Sequence, residues 1–271
     1  MNSDKVTANG RFTGALRGWF IAAALLVVWQ LWTSTSQSIY FPTPWSIVQN
    51  AQERWFSGGG RGFLSEAFFH DVTPSLGRLV TGLIIAWAIG ITVGVIIGRH
   101  RVTAELVEPL LHFMRAMPGP VLLPLALVLI GTGTSMRVSL IAFGAVWPIL
   151  FNTYSAVRRV PTGFLEAGKV ARLNRAATLR RIVLPAASAG IFAGIRVSTA
   201  LGIILLIASE LVAATDGIGF GLTQSQRSFQ FLDMWTFILA LSVLGYVSNL
   251  LLSAVERFVL RWHTLQLAVT N

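Results

Sequence analysis

Six stretches of this chain are apolar enough to be read as helices crossing a bilayer, at 18–32, 76–98, 106–130, 138–157, 186–214 and 234–255. A span needs ~20 mostly apolar residues, so the first is short and gains length only by extending to about 15–35. Trp19, Trp29 and Trp32 lie near its ends, where indoles favour the headgroup region. The segment 33–75 is polar. Within it Pro42 and Pro44 precede Trp45, Val48, Ala51 and Trp55 at helical spacing, which predicts a short amphipathic helix along the membrane surface. Gly58, Gly59 and Gly60 then break the chain, a second short helix is predicted over 63–71, and Pro74 can start span two. The longest strongly polar run between spans, 164–185, reads FLEAGKVARLNRAATLRRIVLP, with a single acid, Glu166.

Composition agrees with that pattern. Of 271 residues, 54% are hydrophobic and 12% charged, against roughly 25% charged in soluble domains. The fold class is therefore all-α, a polytopic membrane protein of six spans. There is no cysteine, which excludes disulfides and thiolate metal sites. A net charge of +10 raises nucleic acid as a partner, but the charge follows membrane sidedness. Fourteen Lys or Arg fall in segments 1–18, 99–105, 158–185 and 256–271, and five (Arg54, Arg61, Arg78, Arg137 and Arg227) on the other side. This places both termini in the cytoplasm and makes the arginines orienting charges that meet lipid, with no nucleic-acid role. The expected organisation is a cytoplasmic segment 1–18, one transmembrane domain 19–262 containing a cytoplasmic loop 158–185, and a cytoplasmic tail 263–271. No small-residue cleavage site follows Trp32, so the first span reads as retained.

Several features inside the spans invite a functional reading. Gly90, Gly94 and Gly98 recur every fourth residue, a spacing that lets helices approach closely, although glycine is common in membrane helices. Span three carries Glu108, Pro109, Arg115, Pro118, Pro120 and Pro124. Prolines free backbone carbonyls and bend a helix, so this span is expected to be broken. Arg115 either lines a cavity and attracts an anion or bonds the carbonyls that the prolines release. Arg196 and Glu210 are fourteen residues apart in span five, ~21 Å along a helix, so they cannot pair with each other. Intramembrane charges are functional candidates by default. The plainer reading has Arg196 snorkelling near the cytoplasmic end and Glu210 sitting near the outer boundary. Arg115, Pro118, Pro120, Pro124, Arg196 and Glu210 are thus the candidates for a translocation path. His70, His100, His112 and His263 are scattered and suggest no metal site.

The 164–185 stretch reads as two short helices. Thr162 is the expected N-cap of the first, and Glu166 suits its positive end. The second is expected over 175–182, with Ala176, Leu179 and Ile182 on one side, and Pro185 marks re-entry into the membrane. Two short helices at an angle make a compact knob that can transmit a push.

This stretch resembles the signature loop of the membrane-spanning subunits of bacterial ABC importers: Glu-Ala-Ala, three residues, Gly, nine residues, Ile-x-Leu-Pro. Glu166, Ala167, Ile182, Leu184 and Pro185 match at that spacing. Gly168 stands at the third small position, and Arg172 stands where the pattern has glycine. Arginine there implies a continuous helix, or a bend moved to Asn174. The likeness extends over about 41–262. FPTPWSIV, VEPLLHFMRAMPGPVLLPLALVLIGTG and IAFGAVWPILFNTYSAVRRVP are similar to the branch importing nitrate, taurine, alkanesulfonates, bicarbonate and thiamine precursors.

The resemblance implies a pore-forming permease in a bacterial inner membrane, paired with a second copy of itself or with a close relative. Two cytoplasmic ATP-binding subunits would each receive one knob through Glu166, Ala167, Gly168, Arg172, Leu184 and Pro185. An external solute-binding protein would deliver a small anion or vitamin precursor. ATP and Mg would be bound by the partner, since this chain has no G-x-x-x-x-G-K-[ST] phosphate loop. It would carry no cofactor and catalyse nothing itself. The alternative is an ion-coupled transporter or channel acting alone, which would call for buried acid or histidine relays.

Overall fold

The computed structural model describes residues 3–36, 38–58 and 62–260. The described residues form helices and no strand: α1 (Ser3–Ser36), α2 (Pro44–Phe56), α3 (Glu66–Asp71), α4 (Thr73–Arg99), α5 (Arg101–Ala116), α6 (Leu123–Ile130), α7 (Thr134–Arg158), α8 (Thr162–Val170), α9 (Arg175–Thr178), α10 (Leu184–Ala213), α11 (Ile218–Arg227) and α12 (Phe231–Val259). Among the described residues, four helical stretches are long and apolar enough to cross a membrane: Glu66–Arg99, Thr134–Arg158, Arg175–Val212 and Phe231–Val259. Val102–Met114 and Gly119–Ile130, bent by 77° at the proline-rich break, make a fifth if counted together. The first expected span lies within α1 (Ser3–Ser36), whose residues Phe20–Ser36 form an apolar helix. The predicted tail 263–271, and Gly59 and Gly60 of the glycine break, lie outside the described residues.

The chain divides into two compact units. One comprises residues 1–68 and 221–239. Here Pro44 opens α2, and the Thr43 side chain accepts from the Ser46 N–H at 3.1 Å, an N-cap in the usual geometry. The predicted amphipathic helix is present, with Ile47, Ala51 and Trp55 buried. Asn50 donates to Asp233 (2.7 Å) and Thr236 (2.9 Å), and the Trp55 and Phe237 rings meet edge to face at 5.7 Å.

The other unit comprises 69–220 and 240–271, and its centre is α7 packed against α4 and α10. The glycine stripe of α4 forms one contact. A Cβ on Gly82 would come within 2.6 Å of Ile141, on Gly94 within 2.8 Å of Thr153, and on Gly98 within 2.9 Å of Val157. The four-residue spacing thus serves close helix packing, with α7 branched side chains seated over bare α4 backbone. Gly194 of α10 faces Asn152 and Ile149 of α7 in the same way. Trp87 of α4 donates its indole N–H to Ser198 of α10 at 2.8 Å.

Candidate functional site

The loop between α7 and α10 folds as a knob. Pro161 occupies the N-cap position of α8, one residue before the expected Thr162, and makes no side-chain cap. The helix ends in a Schellman turn: Leu173 N–H donates to Gly168 O (3.0 Å) and Arg172 N–H to Lys169 O (2.9 Å). Arg172 holds the left-handed residue of that turn, with φ 52°. The bend therefore lies on Arg172 itself, and both expectations for this position, a continuous helix or a bend at Asn174, are corrected. Asn174 does separate work: its side chain accepts from Ala177 N–H at 2.8 Å and caps α9. Residues Leu179–Val183 then make one wide turn, closed by Leu184 N–H donating to Leu179 O. A wider turn is a physical answer to Pro185, which has no N–H to donate to an ordinary helical ladder.

The knob has an inner and an outer face. Val183 is buried with Val95, Ala156, Val157, Val160, Ala187 and Ile191, and Leu165, Leu179 and Leu184 pack against that cluster. Side chains of the knob therefore share one core with the ends of α4, α7 and α10. Gly168 is buried against Ile182, where a Cβ would come within 2.7 Å of Cδ1. The outer face presents Glu166, Ala167 and Arg172, together with the apolar Phe164 and Val170, which are 53% and 86% exposed.

At the opposite end of the same three helices lies a buried polar cluster. Glu210, near the end of α10, is 1% exposed. Its carboxylate accepts from Arg78 of α4 (2.8 Å), from the Ser75 hydroxyl (2.8 and 2.9 Å) and from Gly219 N–H (3.0 Å). Arg78, 2% exposed, also bonds the Asp216 carboxylate and backbone oxygen and reaches Thr134 of α7 at 3.5 Å. Ser75 accepts from Ile218 N–H at 2.9 Å. Gly217 has φ 101°, and a Cβ there would lie 2.6 Å from the Glu210 carboxylate. Arg137, buried at the start of α7, is a second cation in the electrostatic neighbourhood of Glu210 and Asp216. Two cations and two carboxylates thus neutralise one another where α4, α7 and α10 end.

Between the two ends a cavity of 360 Å³ lies against the break after α5, bounded by α7 and α10. Pro118 and Pro120 line it with Phe143, Trp147, Asn152 and Leu205. None of the described lining residues is charged. Asn152 donates its amide to Pro148 O at 2.8 Å, bonding a carbonyl at the proline position of α7.

Comparison with known proteins gives this geometry a context. Residues 90–261 match the family described as "Binding-protein-dependent transport system inner membrane component". The chain belongs to this family of ABC-importer permeases. The permease is 30% identical over 240 residues to the bicarbonate transport system permease protein CmpB of Synechococcus elongatus, covering 87% of this chain and 86% of the relative. It is 28% identical over 243 residues to the taurine transport system permease protein TauC of Escherichia coli (89% and 87% covered), and 26% identical over 251 residues to the putative aliphatic sulfonates transport permease protein SsuC of Bacillus subtilis (92% and 88%). A chain of the MetNI methionine ABC transporter, in a structure described as inward facing, shares the fold with TM-score 0.60 and 22% identity over 70% of this chain and 94% of that one. The permease is a multi-pass membrane protein.

The structure distributes the sequence candidates among different places. Pro118 and Pro120 line the cavity, while Pro124 stands at the start of α6, and Arg115 is in the last turn of α5, its side chain outside the described residues. Arg196 is half exposed, pairs with Glu256 of α12 and reaches Ser253 at 3.3 Å. Glu210 is fixed by Arg78, away from the cavity lining. Arg78 and Arg137, counted among loop charges in the sequence, are buried inside α4 and α7. Asp216 and Ser75 carry no sequence signal of their own. The signal that points to them is Glu210, because a carboxylate in an apolar span requires a partner.

One consequence concerns Arg172. A non-glycine residue in the left-handed region costs ~1–2 kcal/mol. Arg172→Gly is therefore expected to preserve assembly and transport, and to raise the unfolding midpoint of the purified permease by the equivalent of about 1 kcal/mol. Thermal unfolding in detergent checks this, and a lowered midpoint would show that the guanidinium has a partner in the folded state.

Proposed function

We propose that this chain is the pore-forming subunit of an ATP-driven importer of a small anion, driven through the 164–185 loop by a separate ATPase. One observation carries the reading. The knob exposes an apolar and charged outer face, Phe164, Ala167, Val170 and Arg172, while its inner side chains lie in the core shared by α4, α7 and α10. A force applied to the outer face reaches three spans directly, because close-packed interiors transmit displacement.

In this reading Glu166, Ala167, Gly168, Arg172, Leu184 and Pro185 form or support the docking element. Two copies of the chain make the pore, each knob seats in one ATP-binding subunit, and that partner holds ATP and Mg. The permease itself binds no cofactor and hydrolyses nothing. A bacterial inner membrane agrees with the family's description, and the distribution of Lys and Arg supports six spans with both termini in the cytoplasm. An external binding protein delivers the solute. Bicarbonate, taurine and aliphatic sulfonates, named for three relatives, are or carry small anions, which supports an anionic solute here. Pro118, Pro120 and the cavity they line are the best candidates for the path, with Arg115 beside the break. Glu210 is a poor proton relay, since Arg78, Ser75 and Gly219 already occupy its carboxylate.

The test is co-purification and transport. The permease, expressed with its ATPase partner, is expected to purify as a complex that accumulates solute only with ATP. Accumulation by the permease alone in vesicles would overturn the proposal.

A further inference from the structure

Residues of α1 and the start of α2 line a second hollow, which is more open at the surface than the cavity beside α7. It is a groove of 310 Å³ lined by Leu26, Val27, Gln30, Leu31, Pro44, Trp45 and Val48. Its walls are almost wholly apolar. The polar lining side chain, Gln30, is already engaged, with its Oε1 accepting from Trp45 N–H at 3.1 Å. Water in such a groove finds few partners, so the groove favours an apolar occupant.

The surroundings identify that occupant. Leu26, Val27 and Leu31 belong to a helix that is apolar and broadly exposed: Phe20, Ile21, Leu25, Val28 and Trp32 are each more than half exposed. In a multi-pass membrane protein such a surface meets lipid, and the groove is continuous with it. Above it, the ends of α1 and α12 are joined by aromatic rings. Trp29 meets Trp235 at 5.3 Å, Tyr40 meets Phe231 at 4.8 Å, and the Trp235 indole donates to Tyr40 O at 3.0 Å. Tyr40, Phe41 and Phe229 remain exposed. Exposed Trp, Tyr and Phe clustered at the end of an apolar helix mark the headgroup level. Trp45 and Val48 of α2 are exposed and extend this apolar surface.

We propose that the α1–α2 groove binds one acyl chain of a membrane phospholipid, with α2 lying in the interface over it. A flexible methylene chain suits an irregular slot whose polar lining side chain, Gln30, already gives its oxygen to Trp45 N–H. None of the described residues lining the groove is charged, so binding is indifferent to the headgroup. This holds whether or not the coupling proposal holds, because α1 and α2 contribute nothing to the knob.

The test uses the full chain reconstituted in vesicles of phosphatidylcholine brominated along the acyl chains. The chain has nine tryptophans, so the Trp45 signal is read as the difference between wild type and Trp45→Phe. Most of that signal should be lost to bromine. In a second readout, purified chain is expected to retain a lipid detectable by mass spectrometry, equally from phosphatidylethanolamine and phosphatidylglycerol vesicles. Val48→Phe, which fills the groove with another apolar group, should reduce that retention. The proposal fails if Trp45 is shielded from bromine, if retention follows the headgroup, or if filling the groove leaves retention unchanged. Shielding of Trp45 that appears only when a second copy or the external binding protein is present would assign the groove to a protein partner instead.

Discussion

Arg78→Leu is expected to lower the stability of the permease by about 3–5 kcal/mol, enough to remove most folded protein from the membrane, because it removes the buried guanidinium that is hydrogen-bonded to the Glu210 carboxylate. The Ser75 hydroxyl and the Gly219 N–H would remain as donors and Arg137 as a second cation nearby, but the guanidinium hydrogen bond to a carboxylate that is 1% exposed would be lost. Glu210→Leu is expected to be damaging for the converse reason, with the loss softened by Asp216, which still pairs with Arg78 and is one-third exposed. The double variant Arg78→Leu, Glu210→Leu should be more stable than the Arg78→Leu single variant, since the deeply buried carboxylate is removed together with its cation. Thermal unfolding of the four proteins in detergent forms the cycle. Additive losses would mean that the two side chains stabilise the fold independently, and that the ion pair is not what closes this end of the bundle.

The second large effect is functional. Ala167→Glu is expected to abolish solute transport while the complex continues to hydrolyse ATP. Ala167 is exposed on α8, on the same outer face as Phe164 and Val170. A carboxylate there is harmless to the isolated knob, whose inner contacts run through Leu165, Leu179 and Val183. In a docked interface it would have to be desolvated with no matched partner, at a cost of several kcal/mol. Ala167→Ser, which adds only a hydroxyl, is the control and should transport normally. Reconstituted complexes, assayed for ATP hydrolysis and accumulated solute in the same vesicles, give the ratio directly. Full coupling in the Ala167→Glu complex would show that the docking face lies elsewhere on the knob.

Much of this architecture is legible in the sequence, for identifiable physical reasons. Spans announce themselves by length and apolarity, and the proline run 118–124 announces the break that the structure shows at 77°. The spacing of Gly90, Gly94 and Gly98 implies a close helix contact but not its partner, which is α7. Arg78 is misleading in sequence because a single arginine at the start of a span looks like an orienting charge. Its role depends on Glu210, 132 residues away, and on a chain reversal that brings Asp216 back to it. Arg172 is misleading because sequence patterns assign left-handed backbone to glycine or asparagine, and here the Schellman hydrogen bonds impose it on an arginine. The first span is legible as a helix, and α1 (Ser3–Ser36) covers its extended reading over 15–35, whereas the aromatic contacts that join residues at and beyond its end to α12 are not readable from spacing.

The central claim is that the knob is the mechanical contact with the ATPase. Because the chain has no cysteine, Ala167→Cys places one unique thiol on the proposed docking face. Oxidative cross-linking of this variant to an ATPase carrying single cysteines around its surface groove should give a specific heterodimer whose yield changes between ATP-bound and nucleotide-free complexes. A complex that transports normally yet yields no cross-link from Ala167→Cys in either state would contradict the account.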